Sequence, residues 1–582
     1  MKETDQTLID KATSWTREPF DQETRQAVKH MIQEGGDALT DAFYRNLEFG
    51  TGGMRGIMGP GTNRMNKYTI GMSTQGLANY LKEQFGVGNA SVAIAFDCRN
   101  NSPFFAQICA DVLSGNGFEV LVFNGLRPTP ELSFAIRHYK CRAGIMITAS
   151  HNPKEYNGFK VYWDDGAQLV PPHDVRVVEE AMKIESIDQV IWTGDPSRIR
   201  QLGRETDRLY TDQVKTLSML SKDVIEQYAD MPIVYSPLHG TGTELVPMAL
   251  QAFGFSNVFS VQEQSITDGN FPTVVSPNPE EGEALEMAIE LAQRKGADLV
   301  MATDPDADRV GIAVKNHQGD FVLLNGNETA VIIIHYLLEQ WKQNQRIDGR
   351  QYIVKTIVTS YLIDKIAKSF DVECFNVLTG FKYIAEVMRN LEGKKEYIAG
   401  GEESYGLLVG DFVRDKDAVS ACCIIAEAAA FARSRSMTLY GMLQKIHADY
   451  GLYKEHLVSV TRHGKKGAEE ISAMMDRFRT QPPRELAGAE VVEVRDYKTG
   501  LITSIPGDET KPAGLATSNV LQFLLSDGSL ITMRPSGTEP KIKFYFSVHD
   551  NQWNPNKESW EEGISRLLSR IDKIQLALDI SN

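Results

Sequence analysis

Four times along this chain an apolar run that reads as a strand stops abruptly in a polar loop dense with reactive side chains. GIMIT runs into ASHNP at residues 144–153, LVMAT into DPDADR at 299–309, YIAG into GEESYG at 397–406, and LITM into RPSGTEP at 530–540. In open α/β sheets, ligands sit beyond the carboxyl ends of the strands, where free backbone N–H groups and helix starts meet anions. Four such loops predict four layered units whose strand ends converge on one cleft.

The spacing between the loops supports this. SVAIAFD at 91–97 and EVLVFN at 119–124 read as buried strands, with a helix near Phe104 to Gly115 between them, which is the alternation of α/β layers around a largely parallel sheet. The charged stretch SRIRQLGRETDRLY at 197–210 separates this unit from MPIVYSPLHGTG at 231–242, where a strand again meets a Gly-rich turn and a helix. A third unit starts at the apolar helix after LLNGNE (323–328) and continues through QYIVKTIV (351–358). A fourth follows the basic run VTRHGKKGAEE (460–470), its last strands parted by the turn Asp527 and Gly528. The expected domains are 1–206, 207–324, 325–457 and 458–582.

Composition narrows the function. A net charge of -16 argues against a sequence-independent nucleic-acid binder, so any anion must be met by a local site. The six cysteines show no CxxC and no metal or disulfide spacing, which fits a reduced, cytoplasmic compartment. The opening MKETDQTLIDKATSW lacks the apolar core of a signal peptide, and AVIIIHYLL (330–338) is too short to span a bilayer, so no membrane partner is expected.

Asp304, Asp306 and Asp308 alternate within TDPDADR, and three clustered carboxylates repel unless a hard cation neutralises them. A solvated acidic turn or a calcium loop is the alternative, but no EF-hand glycine and distal glutamate follow in register. RPSGTEP offers a guanidinium, two hydroxyls and glycine-turn N–H groups, matching a phosphate, or else it is an ordinary hairpin turn. Glu402, Glu403 and Ser404 of GEESYG suit vicinal sugar hydroxyls, although paired glutamates also mark solvated faces. Arg55 lies among the glycines of FGTGGMRG (49–56), a loop that by itself reads better as merely flexible. Ser150 beside His151 suggests a hydrolase triad, but no GxSxG elbow surrounds it; a helix-capping serine is the plain alternative. Next to a metal loop and a phosphate cradle, the hydroxyl reads better as a phosphoryl carrier.

With these motifs in this order, the chain resembles the α-D-phosphohexomutases, the phosphoglucomutase and phosphomannomutase superfamily. TASHNPKEYNGFKVYWDDGAQ and EFGTGGMRGIMG look most like its larger bacterial phosphoglucomutases and its phosphopentomutase-like branch. The resemblance implies an α/β fold of three similar mixed-sheet domains plus a smaller α+β C-terminal domain around one cleft. It implies Ser150 as the phosphoserine, with Asp304, Asp306 and Asp308 holding Mg²⁺ together with a phosphoserine oxygen. Arg309 would lie beside the phosphoryl group. Glu402 and Ser404 would hold sugar hydroxyls, and Arg534, Ser536, Gly537 and Thr538 the phosphate that is not transferred. Lys160, His151, Lys382 and Arg55 are implied for proton transfer and charge stabilisation, with Thr379 and Gly380 in a substrate-binding turn.

The implied reaction interconverts glucose 1-phosphate and glucose 6-phosphate through a 1,6-bisphosphate intermediate that turns around in the cleft. Mannose or pentose phosphates are the alternative substrates, and a monomer or homodimer is expected. A non-catalytic sugar-phosphate sensor would have lost Ser150 or an aspartate, and all four are present. A serine hydrolase is disfavoured because no positioned base for water is evident.

Overall fold

A computed structural model of the chain describes residues 3–47, 49–50, 53–462, 464–507, 509–536 and 541–580. Three helices, Glu3–Ser14, Gln22–Glu34 and Gly36–Phe43, come first and close around Trp15, Val28 and Phe43, packing on Tyr68. Four sheets follow in chain order.

The first three sheets repeat one local design. In the first, the buried strands Ser91–Phe96, Glu119–Phe123 and Ala143–Ile147 run parallel, and Tyr156–Trp163 returns antiparallel beside Ala143–Ile147. In the second, Ile233–Ser236 and Leu299–Thr303 are parallel, and Val310–Lys315 returns antiparallel. In the third, Gln351–Thr356 and Glu396–Gly401 are parallel, and Leu407–Val409 returns antiparallel. Each of the first three polar loops therefore joins a parallel strand to its antiparallel neighbour. AGIMI and LVMAT are buried at every position because helices cover both faces, so they show continuous apolar runs and no alternation.

The fourth sheet is antiparallel throughout, flanked by helices Gly464–Thr480 and Trp560–Ala577. Strand Leu530–Pro535 pairs with Leu521–Leu525 across the turn at Asp527 and Gly528, and on its other side with Lys541–Asp550.

Two of the expected boundaries fall inside elements. Leu452–Thr461 pairs along its whole length with Lys541–Asp550, from Leu452 opposite Asp550 to Thr461 opposite Lys541, so the fourth sheet starts before residue 458. The polar run at 460–470 that marks the expected boundary begins only where this strand ends. Helix Arg204–Lys215 straddles residue 207: Asp207 holds Arg127 of the first unit at 2.7 and 2.9 Å, while Tyr210 and Val214 join the apolar core of the second and third units.

Units three and four meet over Ile357, Val358 and Leu378 on one side and Tyr497, Val520 and Tyr545 on the other. All six cysteines are free. Among the described residues, no helix is long and apolar enough to cross a membrane.

Candidate active site

Ser150 sits near the start of the first loop with φ +52°, the left-handed region that a non-glycine residue seldom occupies, and is 1% exposed. No helix starts there; a turn leads straight to Tyr156–Trp163, so the hydroxyl is not a cap. A buried network holds the turn from below. Thr148 Oγ1 accepts from Ser150 N at 2.8 Å and donates to Asp97 at 2.6 Å, and Asp97 also accepts from Ser102 at 2.7 Å. The Arg99 guanidinium donates to the carbonyls of Ser150 (2.5 Å), Asn152, Pro153 (2.8 Å) and Tyr156 (3.1 Å), and its Nε lies 3.3 Å from Asp97. Ser150 Oγ is thus fixed in space, and it donates to Asp304 Oδ2 at 2.6 Å across the boundary between units.

Asp304, Asp306 and Asp308 are almost completely buried, and each offers a carboxylate oxygen within 4.8 Å of the others, the one such acidic group among the described residues. Oδ1 of Asp306 and Oδ1 of Asp308 are buried without a hydrogen-bond partner. An all-oxygen donor set with two orphaned oxygens fits a hard divalent cation. Burial and then the neighbouring carboxylates push Asp304 well above the usual carboxylate range. Burial also acts upward on Asp306, but the Lys160 ammonium, together with hydrogen bonds from Asp304 and Thr129, outweighs it and holds that carboxyl far down.

Cations ring this cluster. Lys160 Nζ lies 2.8 Å from Asp306 and 3.5 Å from Asp308. Arg309 pairs with Glu280 and has its Nε 3.8 Å from Asp308, while its backbone N–H donates to Asp304 at 3.0 Å. Arg55, on strand Gly53–Ile57, reaches Asn152 at 3.4 Å and keeps a buried Nε unpartnered. His151 Nδ1 is 3.2 Å from Ser150 Oγ, and burial, Arg309 and Arg55 hold the ring well below the usual histidine range, so it is neutral at pH 7.

The GEESYG loop closes on this centre. Val310 N donates to Tyr405 O at 3.2 Å, tying the aspartate loop to GEESYG. Glu402 accepts from Gly380 N at 2.9 Å, which joins GEESYG to the Thr379–Gly380 turn; Gly380 has φ +120°. Thr379, Glu403 and Ser404 are half-buried. Burial and then Glu402 push Glu403 up to about 7. Arg534 lies opposite Lys543, and its charge acts on Tyr383 of the third unit and on Tyr545. Ser536 N donates to Lys541 O at 2.7 Å; Gly537 and Thr538 lie outside the described residues. Lys382 pairs instead with the first unit, its ammonium 3.5 Å from Asp174.

Sequence reasoning missed several members. Lys416 Nζ lies 3.2 Å from Asp308 and 3.0 Å from Asp415. Thr129 donates its N–H to Asp306 O and its hydroxyl to Asp306 Oδ2, both at 2.9 Å. Half-buried Lys543 has its ammonium disfavoured by burial, with Glu403 and Glu280 opposing. The signal for Lys416 was a charge run, VRDKDA, which reads as a solvated face until the fold buries it.

Comparison with known proteins matches four descriptions in order. They are phosphoglucomutase/phosphomannomutase alpha/beta/alpha domain I at residues 46–188, domain II at 208–319, domain III at 325–450, and the C-terminal domain at 475–554. A phosphoglucomutase of Staphylococcus aureus (strain bovine RF122 / ET3-1) is 39% identical over 526 residues, 90% of this chain and 93% of that one. One of Staphylococcus haemolyticus is 37% identical over 87% of this chain and 91% of its own. In fold, the open form of the Paramecium phosphoprotein pp63/parafusin superposes with a TM-score of 0.67 at 18% identity, covering 92% of this chain and 95% of that one. A phosphoglucomutase/phosphomannomutase family protein of Burkholderia thailandensis superposes at 0.64 with 18% identity, over 91% and 97%.

Proposed function

The chain belongs to the phosphoglucomutase/phosphomannomutase family, and from that premise we propose that it interconverts glucose 1-phosphate and glucose 6-phosphate by carrying a phosphoryl group on Ser150. The observation that carries this reading is the 2.6 Å contact of the Ser150 hydroxyl with Asp304, made from a buried turn whose carbonyls Arg99 holds. A hydroxyl so fixed beside three carboxylates suits phosphoryl exchange at a metal.

Asp304, Asp306 and Asp308, with an oxygen of the Ser150 phosphoryl group, would hold Mg²⁺, which when bound offsets charge on the transferring group. The chain's own groups do the rest. Glu402 and Ser404 hold the sugar, and Arg534 and Ser536 hold its distal phosphate. The free hydroxyl of the sugar phosphate attacks phosphorus, and the bond from phosphorus to Ser150 Oγ breaks as the new P–O bond forms. The proton that the sugar hydroxyl loses is matched by the one that Oγ gains. In the reverse transfer neutral His151, 3.2 Å from Oγ, accepts the Ser150 proton, and the imidazolium so formed returns it when Oγ leaves. Arg55 and Arg309 face the charge that develops. The bisphosphate then turns, presents its other phosphate, and the steps run in reverse. Binding groups on the third and fourth units and reacting groups on the first two are what such a turn requires. Phosphate monoesters hydrolyse so slowly in water that the group is kept between turnovers.

Peptide mass spectrometry after incubation with glucose 1,6-bisphosphate and Mg²⁺ tests the reading. Phosphate should appear on Ser150 and pass to glucose 1-phosphate, and Ser150→Ala should lose mutase turnover with its fold intact. Full turnover in Ser150→Ala would sink the proposal.

A further inference from the structure

Residues 266–280 of the second unit bind neither metal nor sugar in this reading, yet they cross to the first unit and touch the back of the Ser150 turn. Gly269 lies directly on the chain at residues 98–100, where a Cβ would stand 2.5 Å from Asn100 N and 2.8 Å from Cys98 O. Asn270 Oδ1 accepts from Asn100 Nδ2 at 3.0 Å. Phe271 is 2% exposed and, unusually for a bulky residue, has φ +48°. Its ring centre lies 5.0 Å from the Arg99 guanidinium. Ser276 Oγ donates to His151 O at 3.1 Å.

The same segment is anchored to its own unit. The His239 ring meets Ile266 O and Thr273 Oγ1, each at 2.8 Å, and Glu280 holds Arg309 at the aspartate loop. It therefore has one end on the aspartates and its middle on the serine turn.

We propose that this segment is a strap that sets the register between the Ser150 turn and the aspartate loop, and that Phe271 and Gly269 are its positioning residues. The proposal rests on Ser150 being the phosphoryl carrier. Arg99 directs the N–H groups of both Nη1 and Nη2, in the guanidinium plane, to four carbonyls of the turn. The Arg99 guanidinium lies over the buried Phe271 ring, which keeps water from competing for those N–H groups and adds a cation–π attraction. A left-handed backbone at a buried phenylalanine persists only where the surroundings over-determine it. Gly269 lets the strap approach closely enough for the ring to reach.

The test uses the full chain carrying Phe271→Leu, Phe271→Tyr or Gly269→Ala. Hydrogen exchange of residues 148–156 is measured, together with kcat and KM for glucose 1-phosphate in the presence of glucose 1,6-bisphosphate. Phe271→Leu and Gly269→Ala should speed exchange in that turn by at least about 10-fold. They should lower kcat by about 10-fold or more, because a small misplacement of reacting groups is costly, with KM changed less than about 2-fold. Phe271→Tyr, which keeps the ring face, should behave as the parent. Unchanged exchange and kcat in Phe271→Leu would overturn the proposal, as would faster exchange spread evenly over the second unit, which marks a mere core residue. Phosphorylation of the parent reports separately on the reading of Ser150, because the exchange rates assume nothing about the reaction.

Discussion

Lys416 of the third unit places its ammonium 3.2 Å from Oδ2 of Asp308 in the second, the same oxygen that Lys160 of the first approaches to 3.5 Å. Three units thus meet at one carboxylate, and Lys416 is held on its other side by Asp415, which also accepts from Tyr162 and Gln168 of the first unit. Burial disfavours the Lys416 charge, but Asp308, Asp415 and Glu402 outweigh it, so the residue is cationic throughout the working pH range.

In the proposed reaction, a fixed positive charge between the aspartate loop and GEESYG would stabilise a transferring phosphoryl group more than bound substrate. Lys416→Met should therefore lower kcat by about 100-fold or more, with a smaller change in KM. Lys416→Arg, which keeps the charge but not the shape, should retain part of the rate. Steady-state kinetics at saturating Mg²⁺ check this, and a kcat within about 2-fold of the parent would remove Lys416 from the reaction.

Lys416 also shows where the sequence stopped informing. The placement of Ser150, the three aspartates and Glu402 on strand-end loops was legible because each motif is local: an apolar strand ends and a polar loop follows. Lys416, Thr129 and Lys543 carry no such local mark. Each becomes part of the site only through contacts between units, which depend on topology and not on neighbours in sequence. The same limit explains the fourth unit, whose first strand, Leu452–Thr461, is recognised by its pairing with Lys541–Asp550, far along the chain. It also explains Arg99, whose role lies in carbonyls of residues 150–156 that no side-chain pattern reports.

Gly326 opens the helix Gly326–Gln343, and a Cβ there would overlap Glu403 O and stand 2.7 Å from Tyr405 N. The helix start is the backstop of the GEESYG loop. Gly326→Ala should push that loop and with it the bond from Gly380 N to Glu402. Overpacking of this kind costs about 1–3 kcal/mol of stability. The functional effect should be mainly a rise in KM for glucose 1-phosphate, by about 5-fold or more, because sugar contacts act on ground and transition states alike. A folded variant with the parent's KM would show that the loop's position does not govern sugar binding.

Glu455, on the strand that joins the third unit to the fourth, is 9% exposed and is pushed up to about 7 by burial, against hydrogen bonding from Ser360 and the charge of Lys454. Glu328 adds to the upward push, and Ser547 donates a hydrogen bond. The folded chain therefore holds a proton that the unfolded chain releases near its ordinary value of 4.5. Stability from this group is full below that value and is lost as pH rises to about 7. Urea unfolding at about pH 5 and about pH 8 should show the parent losing on the order of 2 kcal/mol more than Glu455→Gln over that interval. Equal losses in the two proteins would mean that Glu455 ionises normally in the fold.

Arg534, next to last in strand Leu530–Pro535, lies opposite Lys543, and its charge acts on Tyr383 of the third unit. In the proposed reaction it holds the phosphate that is not being transferred, a contact present before, during and after each transfer. Such uniform binding lowers KM without changing the chemical step, so Arg534→Ala should raise KM for glucose 1-phosphate and leave kcat nearly unchanged. A charge-assisted hydrogen bond contributes about 1.5–3 kcal/mol, which corresponds to a rise in KM of about 10- to 150-fold. Lys543, half-buried with its ammonium disfavoured by burial, stays behind as the remaining cation and should keep the rise toward the lower end. Arg534→Lys should recover little, because an ammonium cannot reproduce the two parallel N–H bonds of a guanidinium. If Arg534→Ala instead lowered kcat and left KM alone, the residue would be acting on the transferring phosphate, and the assignment of the two phosphate subsites would have to be reversed.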